Sequence, residues 1–243
     1  MNSTIVTIPF ANLAAAFIPV VIVVLIMHRW SGSYSRTIIP VMRMLMQLLL
    51  IGYLLTYIFA SDNSIFVLAI LAVMMTAASW IGLRTLQAPK WPLLKYSFLA
   101  IALGGGSTLF LIVVFVLELE PWYSPRYVVP LAGMIFFNAM NSVSIAAERL
   151  EAELAKGSDA REARHIAYRT SMIPSINGLL AVGLVSLPGM MTGQILSGVS
   201  PLIAVRYQIM VMCMTFGCAG ITSACFLIMA QNKIAGHGQT ATG

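Results

Sequence analysis

The sequence predicts an all-α, polytopic membrane protein with about seven transmembrane helices, the N-terminus outside and the C-terminus inside. Three observations carry this reading. Hydrophobic residues make up 59% of the 243 positions and charged residues only 9%, giving a mean hydropathy of +0.90. Apolar runs recur at the length of about 20 residues needed to cross a bilayer core. The basic residues cluster in alternate connections between those runs. Such a composition excludes both an ordinary soluble domain and a disordered chain. The net charge of +6 belongs with the loop pattern, because no nucleic-acid motif accompanies it.

In chain order the predicted spans are residues 8–28, 40–59, 64–83, 97–117, 127–147, 173–196 and 207–230. The opening "MNSTIVTIPF" lacks the basic stretch of a cleavable signal, so the first span reads as a retained anchor. Connections are short except for 148–172, which makes residues 1–243 one integral-membrane domain with a cytoplasmic segment at 148–172. Of the 14 basic residues, 12 fall on one side of this alternation and 2, Arg126 and Arg206, on the other. The positive-inside rule then sets the orientation and places the protein in the cell membrane, the inner one in a Gram-negative bacterium.

Cys213, Cys218 and Cys225 lie in one apolar stretch without CxxC spacing or histidine partners, so they read as buried small hydrophobes. "GGGST" at 104–108 lacks the lysine and the preceding strand of a phosphate loop. Its glycines instead suit close helix packing. Any ATP hydrolysis must come from a partner.

The charged stretch "ERLEAELAKGSDAREARHIAYRTSM" (148–172) reads as two short helices parted at Gly157-Ser158, with Ser158 or Asp159 capping the second. Leu150 and Leu154 share a face of the first. On the second, Arg161, Arg164, His165 and Tyr168 share a face, with Ala160, Ala163 and Ala167 beside it. A smooth alanine stripe next to a cationic rim suits docking, against the plainer alternative of a solvated linker.

"EAELAKG" resembles the Glu-Ala-Ala, three residues, Gly signature of ABC importer permeases, whose coupling helix inserts into the ATP-hydrolysing subunit. Glu151, Ala152 and Gly157 match, while Glu153 replaces the second alanine. "RMLMQLLLIGYLLTYIF" (43–59), "PLAGMIFFNAMNSVSIAAERL" (130–150) and "VGLVSLPGMMTGQILSGVSPLIAVRYQIMV" (182–211) resemble the bacterial iron-export ABC permeases called FetB-like, a family similar in turn to the plant aluminium-sensitivity permeases. The resemblance covers residues 40–230. It implies a permease subunit that is not itself an enzyme, works as a homodimer, binds no cofactor, and meets ATP and Mg through a separate ATPase. Glu151, Ala152, Gly157, Arg161, Arg164, His165 and Tyr168 are the residues it assigns to coupling.

No ionisable residue stands near the middle of a predicted span, which disfavours a proton-coupled carrier. Amides and hydroxyls remain. Gln47 lies in the second span, and Asn138, Asn141 and Ser142 share one face of the fifth, as helix glue or as substrate contacts. Pro188 and Gly189 interrupt the sixth, beside Met190, Met191, Thr192 and Gln194. Because proline withdraws a donor and crowds the preceding turn, this break reads as a pathway wall or gate. Thioethers suit soft metals but pack more often than they ligate, and the interior lacks the carboxylates and imidazoles iron prefers. Iron would therefore pass over amide and carbonyl oxygens, or move as a complex. A nucleotide sugar or other small organic solute is an alternative cargo, and a non-transporting scaffold or receptor an alternative role.

Overall fold

The computed structural model of the protein describes residues 9–31, 35–60 and 63–240. Regular structure there is helical, apart from one bridge between Val182 and Ser186. The chain packs as two compact units, Met1–Ser61 and Asp62–Gly243.

The first unit holds α1 (Phe10–Ala15), α2 (Ile18–Ser31) and α3 (Ser35–Phe59). Its two apolar stretches, Ala11–Trp30 and Ile38–Phe59, are each long enough to cross a membrane. The second unit contains α4 (Ser64–Gly82), a long interrupted helix, α7 (Pro125–Ala155), α8 (Ala160–Ala181), α9 (Gly189–Leu196) and α10 (Pro201–Thr240). The interrupted helix is α5 (Lys90–Ile101), a π-helical turn at Ala102–Gly106, α6 (Ser107–Leu111) and a second π-helical turn at Ile112–Val116. Hydroxyls satisfy carbonyls loosened by the first π turn: Ser107 donates to Leu103 and Thr108 donates to Gly104 at 2.6 Å.

Helix starts follow local chemistry. The Asn63 side chain accepts from the backbone N–H of Ile65 at 2.9 Å and caps α4, and Asp159 accepts from that of Arg161 at 3.1 Å and caps α8. Pro125 opens α7, where its missing N–H is not needed.

α7 is the central element of the second unit, packed on α4, α8 and α10. Ala132, Ala139, Ala146 and Ala147 are fully buried along it, and Ala163 and Ala167 of α8 are fully buried too. Lipid offers helices no hydrophobic drive to associate, so small side chains that let backbones approach do the work. The same holds for the glycine run: a Cβ on Gly104 would run into Thr222 Oγ1, and one on Gly105 would lie 3.2 Å from the Phe136 ring. Close packing is thus the role of those glycines. Buried hydroxyls add cross-links, with Ser171 donating to Ser223 at 3.1 Å between α8 and α10, and Ser97 donating to the Ser79 carbonyl at 3.1 Å between α5 and α4.

The contacts also fix direction. Arg164 meets Gln231, Ser171 meets Ser223 and Gly178 faces Met212, so α8 and α10 are antiparallel. Gly133 faces Met74 and Gly82 faces Met140, so α4 and α7 run the same way. The helices α4, α5–α6, α7, α8 and α10 therefore alternate in direction.

Among the described residues, six helices are long and apolar enough to span a membrane: Ala11–Trp30, Ile38–Phe59, Ser64–Gly82, Lys90–Val116, Pro125–Ala155 and Pro201–Ala235. The remaining predicted span, 173–196, is not a continuous helix. Between α7 and α10 the chain instead forms α8, which begins inside the charged stretch, is too polar to count among the six, and is about 33 Å long over its 22 residues. One further expectation changes. The charged stretch is not two short helices but the end of α7 and the start of α8, joined by the turn 156–159. That turn needs a positive φ at Gly157, where it is +86°.

Candidate functional site

Two regions carry the residues singled out in the sequence. The first is the charged end of the α7–α8 hairpin. Glu151 reaches away from the hairpin: its carboxylate accepts from the backbone N–H groups of Gln87 at 3.1 Å and Ala88 at 2.8 Å. It thereby holds the α4–α5 connection, in which Leu83, Leu86 and Ala88 are buried, against the end of α7. Glu153 is 5% exposed and accepts from Arg149 at 2.8 Å, Lys156 at 3.0 Å and Ser158 at 3.3 Å, closing the hairpin turn. The residue that departs from the importer signature is therefore the one that ties the turn together. Its signal was legible as Arg149 and Glu153 at i, i+4 and Glu153 and Lys156 at i, i+3.

Ala152, Arg161 and His165 are exposed, Arg164 is half-buried with its guanidinium donating to Gln231 at 3.3 Å, and Tyr168 lies over Gly220. Arg164, His165 and Tyr168 line an open hollow with Leu227 and Ile228 of α10. The predicted alanine docking stripe is overturned. Ala163 and Ala167 face inward, because α8 needs its smallest side chains where it packs against its neighbours.

The second region is the break between α8 and α9. Pro188 does not sit inside a helix; it is the residue that precedes α9. The chain leaves α8 earlier, at Val182, and turns at Gly183 with φ +81°. The Ala181 carbonyl accepts from Leu184, Val185 and Ser186, Gly183 N–H donates to Ser186, and both the amide and the hydroxyl of Thr192 donate to the Pro188 carbonyl. These bonds close much of the break, and because Pro188 lies outside a helix its missing N–H interrupts no helical bond. Leu184 and Val185 stand 90% and 84% exposed beside it. Gly183→Ala should therefore cost about 1–2 kcal/mol, the penalty of a left-handed residue with a Cβ, whereas Pro188→Ala should leave the melting temperature nearly unchanged. Thermal melts of the two variants check this, and the reverse order would contradict it.

The other polar candidates are scattered. Gln47 is exposed on α3 in the first unit. Asn138 donates to the Met134 carbonyl at 2.8 Å and Ser142 to the Ala139 carbonyl at 3.0 Å, bonds within their own helix, while Asn141 is exposed. Met190 packs on the core, Met191 is half-buried, and Gly189 has open space where a Cβ would be. Among the described residues two amide oxygens are buried with no hydrogen-bond partner: Gln194 Oε1 on α9 and Gln208 Oε1 on α10, helices that pack together. Gln208 is only 6% exposed. Among the described residues, no group of three or more His, Cys, Asp or Glu could hold a metal ion.

The family model UPF0014, described as an uncharacterised protein family, matches residues 10–234. The chain belongs to the UPF0014 family. Within this family it is 36% identical over 215 residues to a UPF0014 membrane protein of Synechocystis, covering 82% of this chain and 78% of the relative. It is 33% identical over 234 residues to the protein of Escherichia coli named probable iron export permease protein FetB, covering 89% of each. It is 34% identical over 228 residues to Protein ALUMINUM SENSITIVE 3 of Arabidopsis thaliana, covering 86% of this chain and 81% of that one. No solved structure matches. The FetB-like resemblance read from residues 40–230 thus names the right family, and the UPF0014 chain is a multi-pass membrane protein.

Proposed function

We propose that this UPF0014 protein is the membrane-spanning permease subunit of an ABC transporter that exports a metal ion, with iron as the cargo suggested by the name of the Escherichia coli relative. The observation that carries the ABC reading is the α7–α8 hairpin. Its charged end is fastened at the turn by Glu153 and to the α4–α5 connection by Glu151, so that a push on one cytoplasmic element is passed to three apolar helices. A mobile linker would transmit nothing. Arg161 and His165 are exposed on this end, and Arg161 supplies a cationic contact with an ATPase.

In this reading the hairpin lies in the cytoplasm, α8 makes the return pass, and seven passes in one chain form half of a two-sided pathway. With no internal repeat in the sequence, two copies of the chain complete it by symmetry, with two ATPase subunits that bind ATP and Mg. Pro188 to Gln194 and α10 line part of that pathway. The unpartnered oxygens of Gln194 and Gln208 suit an arriving donor or cation, since an unpaired buried acceptor costs about 1–3 kcal/mol. Such weak oxygen ligands bind an ion long enough to guide it and release it readily.

Charge reversal tests the docking surface. Arg161→Glu with His165→Glu should weaken ATPase association and make what remains more sensitive to salt, because exposed charges are screened within about 10 Å at 0.1 M ionic strength. Pull-down of the ATPase across a salt series checks this. Unchanged association would leave the hairpin as a linker. Native mass spectrometry of the active complex checks the stoichiometry, and a single permease copy there would contradict the dimer.

A further inference from the structure

Lys95 breaks a rule that the rest of the interrupted helix obeys. Along the candidate span Lys90–Val116 the outward stripe is Trp91, Lys95, Leu99, Leu103 and Phe110, and Lys95 is its one charge. Ionisable side chains within spans usually face the bundle interior or a partner. Lys95 faces out, with its ammonium 4.9 Å from the centre of the Tyr96 ring and no carboxylate within ion-pair distance among the described residues. It stands five residues past Lys90, about 7.5 Å into the helix. That depth is within reach of a lysine stem extended along apolar surface toward the headgroups.

An open hollow between α4 and α5 adjoins it, lined by Thr76, Trp91, Leu94, Lys95, Phe98 and Leu99. Trp91 is 75% exposed and packs on Trp80 with ring centres 5.3 Å apart, an aromatic pair of the kind that anchors at the membrane interface. Arg84 and Lys90 stand at the same end of the two helices, the Lys90 ammonium donating to the Arg84 carbonyl at 3.0 Å. An apolar trough thus leads up to a set of cations.

We propose that this hollow binds an anionic phospholipid of the surrounding bilayer, with an acyl chain against Leu94, Phe98 and Leu99 and the headgroup phosphate on the Lys95 ammonium. Charge complementarity selects this occupant. The lining carries one cation and no anion, which a zwitterionic lipid matches less well than a lipid with net negative charge. A basic, aromatic-rimmed groove between spans at the headgroup level has the chemistry for such a lipid.

Native mass spectrometry of the full chain, released from nanodiscs holding equal amounts of phosphatidylglycerol and phosphatidylcholine, tests the site. The wild-type chain should retain phosphatidylglycerol in preference to phosphatidylcholine by about fivefold, the effect of one cation near an anionic headgroup. Lys95→Gln should bring that ratio close to parity, Lys95→Arg should keep it, and Arg206→Gln, at the other end of the span region, should leave it unchanged. Lys95 is exposed, so its replacement does not threaten the fold. An equal ratio in the wild type, or an undiminished preference in Lys95→Gln, would overturn the proposal. So would displacement of the lipid by excess inorganic phosphate, which would mark a phosphate site, or a change from dimer to monomer in Lys95→Gln with lipid preference intact, which would mark a contact between two copies.

Discussion

Gly104→Val should leave almost no folded protein in the membrane. A Cβ at this position would run into Thr222 Oγ1 and stand 2.7 Å from Thr222 N and 2.9 Å from Thr222 Cα, and the last two atoms are backbone. A side-chain tip could rotate away. The α10 backbone cannot, because on either side of the crossing it is held by Cys218 against the Ile135 carbonyl and by Ser223 against Ser171. Overpacking a well-fitted core costs about 1–3 kcal/mol, and a clash with backbone lies at or above the top of that range. The neighbouring glycines supply controls. Gly105→Ala presses on the Phe136 and Ile135 side chains at 3.2 and 3.3 Å and should cost less, whereas Gly106→Ala enters open space and should fold as the wild type does. Expression and melting temperature of the three variants check this order. A stable Gly104→Val protein would mean that α10 does not cross at Gly104.

Glu151→Ala should disconnect the α4–α5 connection from the α7–α8 hairpin while the spans stay packed. The substitution strips the acceptor from two backbone N–H groups, those of Gln87 and Ala88. A hydrogen bond to a charged group contributes about 1.5–3 kcal/mol, less where it is exposed as at Gln87, and a loss of about 2 kcal/mol from the pair raises the detached population about thirtyfold. Amide exchange at Gln87 and Ala88 should accelerate by that factor, with little change in the buried amides of α7. Transport should fall with it, because the hairpin would move without its second helix. Glu151→Gln keeps one acceptor oxygen and should be milder. Exchange rates that stay as in the wild type would remove Glu151 from the coupling scheme.

The apolar spans were readable from sequence because their signal is averaged over about 20 residues and needs no tertiary information. Asp159 as a cap was equally legible, since a cap acts within two residues of itself. The errors came where one letter serves two geometries. Proline withdraws its donor as harmfully inside a helix as it does harmlessly before one, and Pro188 turned out to be the latter, with the turn made five residues earlier at Gly183. Alanine on α8 reads as a smooth outer stripe or as an inward contact, and only the presence of α7 and α10 decides for the contact at Ala163 and Ala167. Glu151 was singled out by its motif, but its partners at Gln87 and Ala88 lie far along the chain, beyond any local pattern. Asn138 and Ser142 read as helix glue or as substrate contacts, and in the structure each donates a bond to a carbonyl of its own helix, which a sequence pattern does not reveal.

ATP-driven accumulation of iron by inside-out vesicles that contain this chain and its ATPase tests the central claim most directly. The account predicts uptake that requires ATP, stops when the ATPase is made unable to hydrolyse it, and falls in Arg161→Glu with His165→Glu in step with the loss of ATPase association. Assembled complexes that hydrolyse ATP but accumulate no iron, or iron uptake by the chain without the ATPase, would contradict it.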